Sequence, residues 1–216
     1  MTVRIKKHVF NILGKIILVL VLAILAYFVG TFLPNDYALR DYDERKEHEF
    51  AERFQAFTTE PSFEYIDDET FIRALYSCIN YLNYTHDKEY RVPTAIIASM
   101  AIIESAYGTS RFATEGNALF GLRTWDLDNV PHMKPLAIPN AKFGVKKYRS
   151  KCESVDDMIN NINNHPAYEL FRTERQNQLQ KGFWNFEKLV QGLKAWSVNP
   201  NYTKLILQTI KDNNLR

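Results

Sequence analysis

One carboxylate stands out because it lies in an otherwise apolar segment. Glu104 is the only side chain between Pro93 and Gly108 that is charged at neutral pH. Met100 and Ile97 precede it by four and seven positions, so a helix would carry all three on one apolar face. Burial raises the pKa of a carboxyl group, and a Glu that keeps its proton near neutral pH can protonate a leaving group. The pattern therefore predicts a general acid of the kind that glycosidases use.

A structural role for Glu104 explains the same pattern. A buried carboxylate can accept hydrogen bonds from backbone N–H groups or pair with a cation, and Arg111 lies one turn beyond the predicted helix. Structural ion pairs also perturb pKa values. The helix pattern alone favours the structural role slightly, and the residues that follow shift the balance toward chemistry.

The segment after Glu104 resembles a known family. Residues 104–112 read ESAYGTSRF, and they are followed by GNALFG at 116–121 and by Trp125. These residues resemble the glucosaminidases of glycoside hydrolase family 73, in particular their Bax-type branch. The resemblance covers roughly residues 60 to 212 and continues with an aromatic residue, a tyrosine, an acidic helix start and a His-Pro-Ala-Tyr end. In this chain those features are Phe143, Tyr148, residues 153–157 and residues 165–168.

The resemblance implies a lysozyme-like fold and a hydrolase. The expected fold class is a mainly α-helical, lysozyme-like domain with a small β-hairpin lobe, preceded by one N-terminal transmembrane helix. The implied activity is hydrolysis of the peptidoglycan glycan strand by an endo-β-N-acetylglucosaminidase, with Glu104 as general acid. Two alternatives stay open: a lytic transglycosylase of similar fold, and a non-catalytic, membrane-tethered peptidoglycan-binding module. A viral lysis protein with a signal anchor would share the chemistry and differ only in its host.

A second catalytic group is expected beside the general acid. Glycoside hydrolysis usually needs a second carboxylate or a substitute, and Asp126 and Asp128 are the candidates because the family places an acidic residue in this lobe opposite the catalytic Glu. Either residue could instead form a turn. Retaining, inverting and N-acetyl-assisted routes all remain open at this point.

Aromatic side chains are the expected substrate contacts, because apolar sugar faces stack on rings while sugar hydroxyls need hydrogen bonds. The predicted substrate-binding residues are Tyr107, Asn117, Phe120, Trp125, Trp196 and Tyr202. Asn117 could offer an amide to an N-acetyl group, whereas core packing is the stronger expectation for Phe120 and Tyr202. Trp196 stands where many members of the family carry a tyrosine, and an indole can stack but has no hydroxyl.

The first 59 residues predict a membrane anchor and a stalk. Residues 1–15 carry four cations and no acidic residue, and residues 16–33 are uncharged, close to the roughly 20 residues of a membrane span. A cleavable signal peptide has a shorter apolar core of about 7–15 residues, so an uncleaved signal anchor is favoured over cleavage. Residues 34–59 have mixed charge and predict a solvated stalk, and residues 60–216 form the predicted catalytic domain. The positive-inside rule then places this domain on the periplasmic or outer side of a bacterial inner membrane, with a single pass.

Charge and cysteine usage exclude other classes of protein. Without the four leader cations, the chain has 23 Lys and Arg residues against 25 Asp and Glu residues, so its net charge is about −2. This argues against nucleic-acid binding, and the expected partners are peptidoglycan glycan strands and the inner membrane. No pair of His or Cys residues falls at ligand spacing, so neither a metal nor another cofactor is expected. Cys78 lies at a core spacing of its helix, which favours two buried thiols over a Cys78–Cys152 disulfide.

Hydrophobic periodicity and capping residues predict the helices that position these groups. Helices are expected to start at Asp67 or Asp68, Pro93, Ser110, Ser154, Pro166, Phe186 and Pro200. Residues 122–148 lose the helical period and contain three prolines, which predicts a small β lobe or a long flap. Because loops of this length in a compact domain are usually functional or disordered, this segment is a candidate cleft wall.

Overall fold

A computed structural model describes residues 2–32 and 36–215. Met1 of the predicted leader, Leu33 of the predicted span, Pro34 and Asn35 of the predicted stalk, and Arg216 lie outside the described residues. The chain divides into two compact units, Met1–Phe54 and Gln55–Arg216.

The first unit begins with a long apolar helix. Helix α1 spans Thr2–Phe32, and its segment Ile12–Gly30 has 19 residues with a mean hydropathy of 2.8. None of that segment is buried against protein. By length and composition this helix could cross a membrane, as the sequence predicts.

Helix α2 spans Asp36–Thr58 and has the opposite character. Charged side chains lie one turn apart along its exposed surface, with ion pairs between Arg45 and Asp41 at 2.8 Å and between Lys46 and Glu49 at 3.2 Å. Such pairs support an exposed helix modestly. A solvated helix is what the mixed charge of this segment predicts, while the stalk boundaries remain a prediction.

The second unit starts with helix α3, Asp68–Thr85. Asp67 caps it, because its side chain accepts from the Thr70 backbone N–H at 2.8 Å while the Thr70 hydroxyl accepts from the Asp67 N–H at 3.0 Å. This capping box satisfies two backbone N–H groups that lack helical partners. The apolar face of α3 is buried as predicted, through Phe71, Leu75, Ile79 and Leu82.

Helix α4, Thr94–Ser105, lies at the centre of the unit and packs against α3 and the last helix. Ile96, Ile97 and Met100 are completely buried. The helix ends abruptly because Ala106, Tyr107 and Gly108 have φ angles of 49°, 54° and 75°. At Gly108 a Cβ atom would fall 2.5 Å from the Tyr65 hydroxyl oxygen. Glycine is therefore required there, and Glu104 is held in the last helical turn.

A short helix and a small sheet follow. Helix α5 spans Arg111–Gly116 and is capped by the Ser110 hydroxyl, as predicted. Strands β1 (Arg123–Thr124), β2 (His132–Met133) and β3 (Gly144–Lys146) form an antiparallel sheet in the order β1-β3-β2. This sheet is the predicted lobe, with a third strand in addition to a hairpin.

Helix α6, Lys151–Asn164, begins three residues before the predicted start at Ser154. Its cap is Ser150, whose hydroxyl accepts from the Glu153 N–H at 3.0 Å. Ser154, the predicted cap, is instead buried, and its hydroxyl accepts from the Leu119 N–H at 3.0 Å. The prediction of Ser154 as the cap was wrong, because both serines precede acidic residues and either could begin a helix. The contact of Ser154 with Leu119, which distinguishes the two serines, is not visible in the sequence.

Helices α7 (Glu169–Lys181), α8 (Phe186–Gln191) and α9 (Tyr202–Asp212) complete the domain. Short 3-10 turns occupy Lys88–Tyr90, Pro166–Tyr168 and Lys194–Trp196. The predicted helix from Phe186 to Trp196 is therefore interrupted after Gln191, and the last helix starts two residues later than Pro200.

A disulfide joins Cys78 of α3 to Cys152 of α6, with Cα atoms 5.5 Å apart. Both residues are buried, as expected, but the expectation of two free thiols was wrong. The sequence could not reveal the pairing, because the two cysteines become neighbours only when α3 packs against α6.

Candidate active site

A cleft of about 470 Å³ opens at the C-terminal end of α4. It is lined by residues from α4, the lobe, the end of α6, and the segment between α8 and α9. The lining residues are Glu104, Phe120, Gly121, Leu122, Arg123, Trp125, Asn161, His165, Tyr168, Trp196, Ser197 and Val198. Among these lining residues of the described chain, Glu104 is the only carboxylate.

The Glu104 side chain is exposed to the cleft. This corrects the expectation of a buried carboxylate on an apolar face. Ile97 and Met100 do lie in the core, but α4 ends at Ser105, so its last turn emerges from the core and carries Glu104 to the surface. The carboxylate is therefore already accessible to a substrate, and no movement is needed to expose it.

Two neutral donors hold one oxygen of this carboxylate. The Trp196 indole N–H donates to Glu104 Oε1 at 2.8 Å, and the Tyr202 hydroxyl donates to the same oxygen at 2.7 Å. Tyr202 is buried, and burial followed by the charge of Glu104 raises the pKa of its hydroxyl. Tyr202 therefore stays protonated and remains a donor over the physiological pH range.

The double contact leaves Glu104 Oε2 without a protein partner among the described residues. A carboxylic acid carries its proton on one oxygen and accepts on the other. Because Oε1 already accepts two hydrogen bonds, Oε2 is the oxygen that can hold a transferable proton.

The structural alternative for Glu104, a pair with Arg111, does not form. Arg111 is instead 3.3 Å from the Glu115 carboxylate and donates to the Lys134 carbonyl oxygen at 2.7 Å. Arg111 thus contacts α5 and the lobe, whereas the hydrogen bonds of Glu104 come from Trp196 and Tyr202.

Trp125 and Phe120 both line the cleft, in different ways, and substrate binding by either residue stays a prediction. Trp125 is 69% exposed and lies with its ring centroid 6.3 Å from that of Phe143. Phe120 is only 2% exposed and belongs to the core, which is the stronger expectation for it. Trp125 is therefore the exposed aromatic surface of the cleft, and Phe120 forms part of its floor.

Tyr107 and Asn117 are not among the residues that line the cleft. The Tyr107 hydroxyl donates to Asn213 Oδ1 at 2.9 Å, and its ring lies against Phe71 with a centroid distance of 6.1 Å. Asn117 ends α5 with a φ of 53°, and its amide donates to two backbone carbonyl oxygens, of Tyr148 and Arg149. Both residues hold the backbone around the cleft in place.

Trp196 and Tyr202 both contact Glu104, and substrate binding by either residue stays a prediction. Tyr202 packs at the start of α9, as predicted, yet its hydroxyl reaches Glu104. Trp196 lines the cleft and also supplies a hydrogen-bond donor through its indole nitrogen. The indole N–H can therefore donate a hydrogen bond although Trp196 lacks the hydroxyl of a tyrosine.

Asp126 and Asp128 are both exposed and are not among the residues that line the cleft. The Asp126 carboxylate accepts from the Asn129 backbone N–H at 3.1 Å and from the Asn129 amide at 3.0 and 3.1 Å. This arrangement is a turn-stabilising one. A catalytic role for either residue stays a prediction.

Five polar residues of the cleft were missed as site residues: Arg123, Asn161, His165, Tyr168 and Ser197. Burial raises the pKa of the Tyr168 hydroxyl, and a hydrogen bond with Asn161 partly offsets the rise. Asn161 lies in the last turn of α6 and His165 caps that helix four positions later, a spacing that signals one face of a helix end.

His165 presents one defined hydrogen-bonding group to the cleft. Its Nδ1 accepts from the Ala167 backbone N–H at 3.2 Å, and its ring lies 5.6 Å from that of Tyr168. A nitrogen that accepts an N–H carries no proton, so the proton of the neutral ring is on Nε2. His165 therefore offers an N–H donor from the C-terminal end of α6.

The lobe is attached to α6 by a polar cluster. Lys146 Nζ lies 2.7 Å from Asp157 Oδ2, and the Tyr148 hydroxyl donates to the same oxygen at 2.6 Å. Burial, followed by the hydrogen bond to Asp157, raises the pKa of Tyr148.

Within the described chain, no group of three His, Cys, Asp or Glu side chains is arranged to hold a metal ion.

Comparison with known proteins relates this geometry to a family. A family model described as mannosyl-glycoprotein endo-beta-N-acetylglucosaminidase, a glucosaminidase, matches residues 82–215. Protein bax of Escherichia coli (strain K12) is 32% identical over 127 residues, which cover 56% of this chain and 43% of that protein. The chain thus matches less than half the length of this curated relative.

Two solved structures share the fold. The catalytic domain of the autolysin Auto from Listeria monocytogenes has a TM-score of 0.53 and 19% sequence identity, and the match covers 78% of this chain and 94% of that domain. The glycoside hydrolase domain of FlgJ from Salmonella typhimurium has a TM-score of 0.50 and 17% identity, with 69% and 89% covered. The mainly helical, lysozyme-like architecture predicted from the sequence is confirmed.

Proposed function

Because this chain belongs to the glucosaminidases of glycoside hydrolase family 73, we propose that it is an endo-β-N-acetylglucosaminidase that hydrolyses the glycan strand of peptidoglycan. The observation that carries the proposal is the position of Glu104, an exposed carboxylate in a cleft, with Oε1 held by two neutral donors and Oε2 open.

In this proposal Glu104 is the general acid. Its Oε2 gives a proton to the glycosidic oxygen as the bond from that oxygen to the anomeric carbon breaks. Trp196 and Tyr202 donate to Oε1 and stabilise the carboxylate that remains. Since both donors are neutral, they orient the carboxyl group without placing a cation beside it.

The N-acetyl group of the substrate is the proposed nucleophile. Glu104 is the only carboxylate among the cleft-lining residues described, whereas the retaining route by a protein nucleophile and the inverting route each need two. The carbonyl oxygen of the N-acetyl group bonds to the anomeric carbon as the leaving group departs. Water then adds to the anomeric carbon and breaks its bond to the N-acetyl oxygen, which opens the ring formed by that bond. A proton of the water returns to Glu104.

Sugar rings are proposed to bind against the two indoles of the cleft. Trp125 offers an exposed ring face, and Trp196 lies beside the acid that it orients. The His165 Nε2–H is placed to donate to a sugar oxygen, such as that of a hydroxyl or of an N-acetyl group. An apolar platform with a few fixed polar groups is the usual construction of a small-molecule site.

Helix α1 is proposed as the signal anchor of a single-pass protein of the bacterial inner membrane. Its apolar segment Ile12–Gly30 supports this, together with the basic residues that precede it in the sequence. The catalytic domain would then act on the cell wall, on the periplasmic or outer side of the membrane. Anchoring confines hydrolysis to glycan strands near the membrane.

Mass spectrometry of the fragments released from purified peptidoglycan tests the proposal. The full-length protein in detergent is compared with its Glu104→Gln variant. We expect products with N-acetylglucosamine at the reducing end from the unmodified protein and none from the variant. Anhydro-muramyl ends would assign a lytic transglycosylase instead. Binding to peptidoglycan without release of fragments would assign the non-catalytic module.

A further inference from the structure

The cleft contains one cation with no acidic partner. Arg123 is the only Lys or Arg among the residues that line the cleft. Its side chain is exposed, and it takes part in none of the ion pairs found in the part of the chain that the structure describes. An uncompensated cation beside a sugar-binding surface is suited to an anionic group of the substrate.

The lobe holds Arg123 in a defined place. Arg123 lies on strand β1, where it pairs with Val145 of β3. Its guanidinium lies over the ring of Phe143, 4.3 Å from the centroid, while Trp125 lies 6.3 Å from the same ring. Because Arg123 and Trp125 are two positions apart, they project from the same side of the extended segment.

The cation stacks on Phe143 and forms no ion pair with Glu104 among the described residues. A guanidinium bonded to Glu104 would favour the charged carboxylate and oppose its role as an acid. The observed partners of Glu104 are neutral donors, and the cation is held by an aromatic face instead. A planar guanidinium fixed in this way keeps its N–H groups free to form paired hydrogen bonds with a carboxylate.

We propose that Arg123 binds a carboxylate of the substrate and makes the protein prefer strands that carry muramic acid over neutral polymers of N-acetylglucosamine. This inference rests on the proposed function, because it concerns the same cleft. Peptidoglycan offers carboxylates from two sources: the stem peptide, and the lactyl group of a muramic acid that has lost its peptide. The carboxylate-bearing sugar would lie next to the Trp125 platform.

Binding to hydrolysis-deficient protein tests the inference without requiring turnover. Isothermal titration is done with full-length Glu104→Gln protein and with the same protein carrying Arg123→Gln. The ligands are solubilised glycan strands with stem peptides, amidase-treated strands with free lactyl groups, and a neutral N-acetylglucosamine hexamer. We expect Arg123→Gln to weaken binding of at least one carboxylate-bearing ligand about tenfold and to leave the hexamer within about twofold.

The two carboxylate-bearing ligands distinguish the sources. Weakened binding only with stem peptides present assigns the peptide carboxylate, and weakened binding of amidase-treated strands assigns the lactyl carboxylate. Arg149→Gln is the matched control, because Arg149 is exposed, pairs with Glu153 and is not among the cleft-lining residues. An equal loss for the neutral hexamer, no loss for any ligand, or the same loss in Arg149→Gln would overturn the inference.

Activity measurements separate this inference from the proposed function. In protein that retains Glu104, Arg123→Gln is expected to lower kcat/KM about tenfold for the same carboxylate-bearing strands, with Arg123→Lys intermediate because an ammonium group cannot form the paired bonds. If the unmodified protein cleaves none of the strands, the proposed function fails, while the titrations still decide the role of Arg123.

Discussion

The cleft has a helical wall and a lobe wall, and the two hold their side chains in different ways. The helical wall consists of Glu104, Trp196 and the buried Tyr202 behind them. The lobe wall consists of Arg123, Trp125 and Phe143. On the helical wall a carboxylate oxygen accepts two hydrogen bonds at 2.7 and 2.8 Å, one of them from a buried hydroxyl. On the lobe wall Arg123 and Trp125 are exposed, and each makes a ring contact with the half-buried Phe143.

In the proposed function, the helical wall carries out proton transfer and the lobe wall selects the substrate. Proton transfer requires a group held within hydrogen-bond reach of the leaving oxygen, so a small displacement is costly. Ring stacking and charge pairing tolerate adjustment, and they suit a wall built on strands of two or three residues. Substitutions in the helical wall are therefore expected to lower kcat, and those in the lobe wall to raise KM.

Loss of the acid is the largest effect expected. In Glu104→Gln the side chain keeps its size and can still accept hydrogen bonds from both donors, but it has lost the transferable proton. We therefore expect kcat to fall about 1000-fold. Release of reducing ends from peptidoglycan measures this. Because the side chain is exposed, the thermal unfolding midpoint should stay the same. Activity within tenfold of the unmodified protein would remove Glu104 from the mechanism.

Loss of the disulfide tests the support beneath the helical wall. Cys78 and Cys152 are 74 residues apart in sequence, and closing a loop of that length stabilises the folded state by about 4 kcal/mol. Replacing both cysteines with Ala should lower the free energy of unfolding by about that amount, as measured by urea denaturation. The folded variant should keep its KM. An unchanged midpoint would show that the bond contributes no stability.

Loss of one donor to Glu104 should lower kcat between about tenfold and a hundredfold, since a hydrogen bond to a charged group contributes about 1.5–3 kcal/mol. Tyr202→Phe removes the hydroxyl and keeps the buried ring. Tyr107→Phe is its control, because that hydroxyl donates to Asn213 instead. A rise in KM with unchanged kcat in Tyr202→Phe would contradict the assignment of Tyr202 to the chemistry.

On the lobe wall, Trp125→Ala should raise KM about fivefold with little change in kcat, as expected for loss of an aromatic contact. The ring is 69% exposed, so the fold should not depend on it. Phe183→Ala removes another exposed ring that is not among the cleft-lining residues and should leave KM unchanged. A fall in kcat in Trp125→Ala, with KM constant, would place the lobe wall in the chemistry as well.

The smallest effect is expected at the predicted second carboxylate. Asp126→Asn keeps a side chain that can hold the turn with Asn129, and under the N-acetyl-assisted route kcat should stay within about twofold. Asp128→Asn is measured in parallel. A fall as large as that of Glu104→Gln in either variant would show that this aspartate is the second catalytic group.

The helical core could be predicted, and Glu104 could be singled out as the candidate acid, because these signals are local. The apolar positions of α4, the glycine after it and the isolated Glu104 are all contained in one short segment, and the family motif overlaps it. The capping box of α3 is local in the same way.

The partners of Glu104 were not predictable as partners. Trp196 and Tyr202 lie 92 and 98 positions away, and their contacts depend on how α9 packs against α4. The same limit applies to the buried Ser154 and to the disulfide between α3 and α6. The exposure of Glu104 was not predicted, because helical spacing assigns a residue to a face of the helix. It does not show at which turn of the helix burial ends.

The configuration of the first product tests whether Glu104 acts with the substrate's own N-acetyl group. Proton NMR of freshly cleaved glycan strands, recorded before the sugar equilibrates, distinguishes the two anomers. We expect the β-anomer to appear first. Initial release of the α-anomer would contradict this expectation, because inversion needs a second carboxylate to activate water.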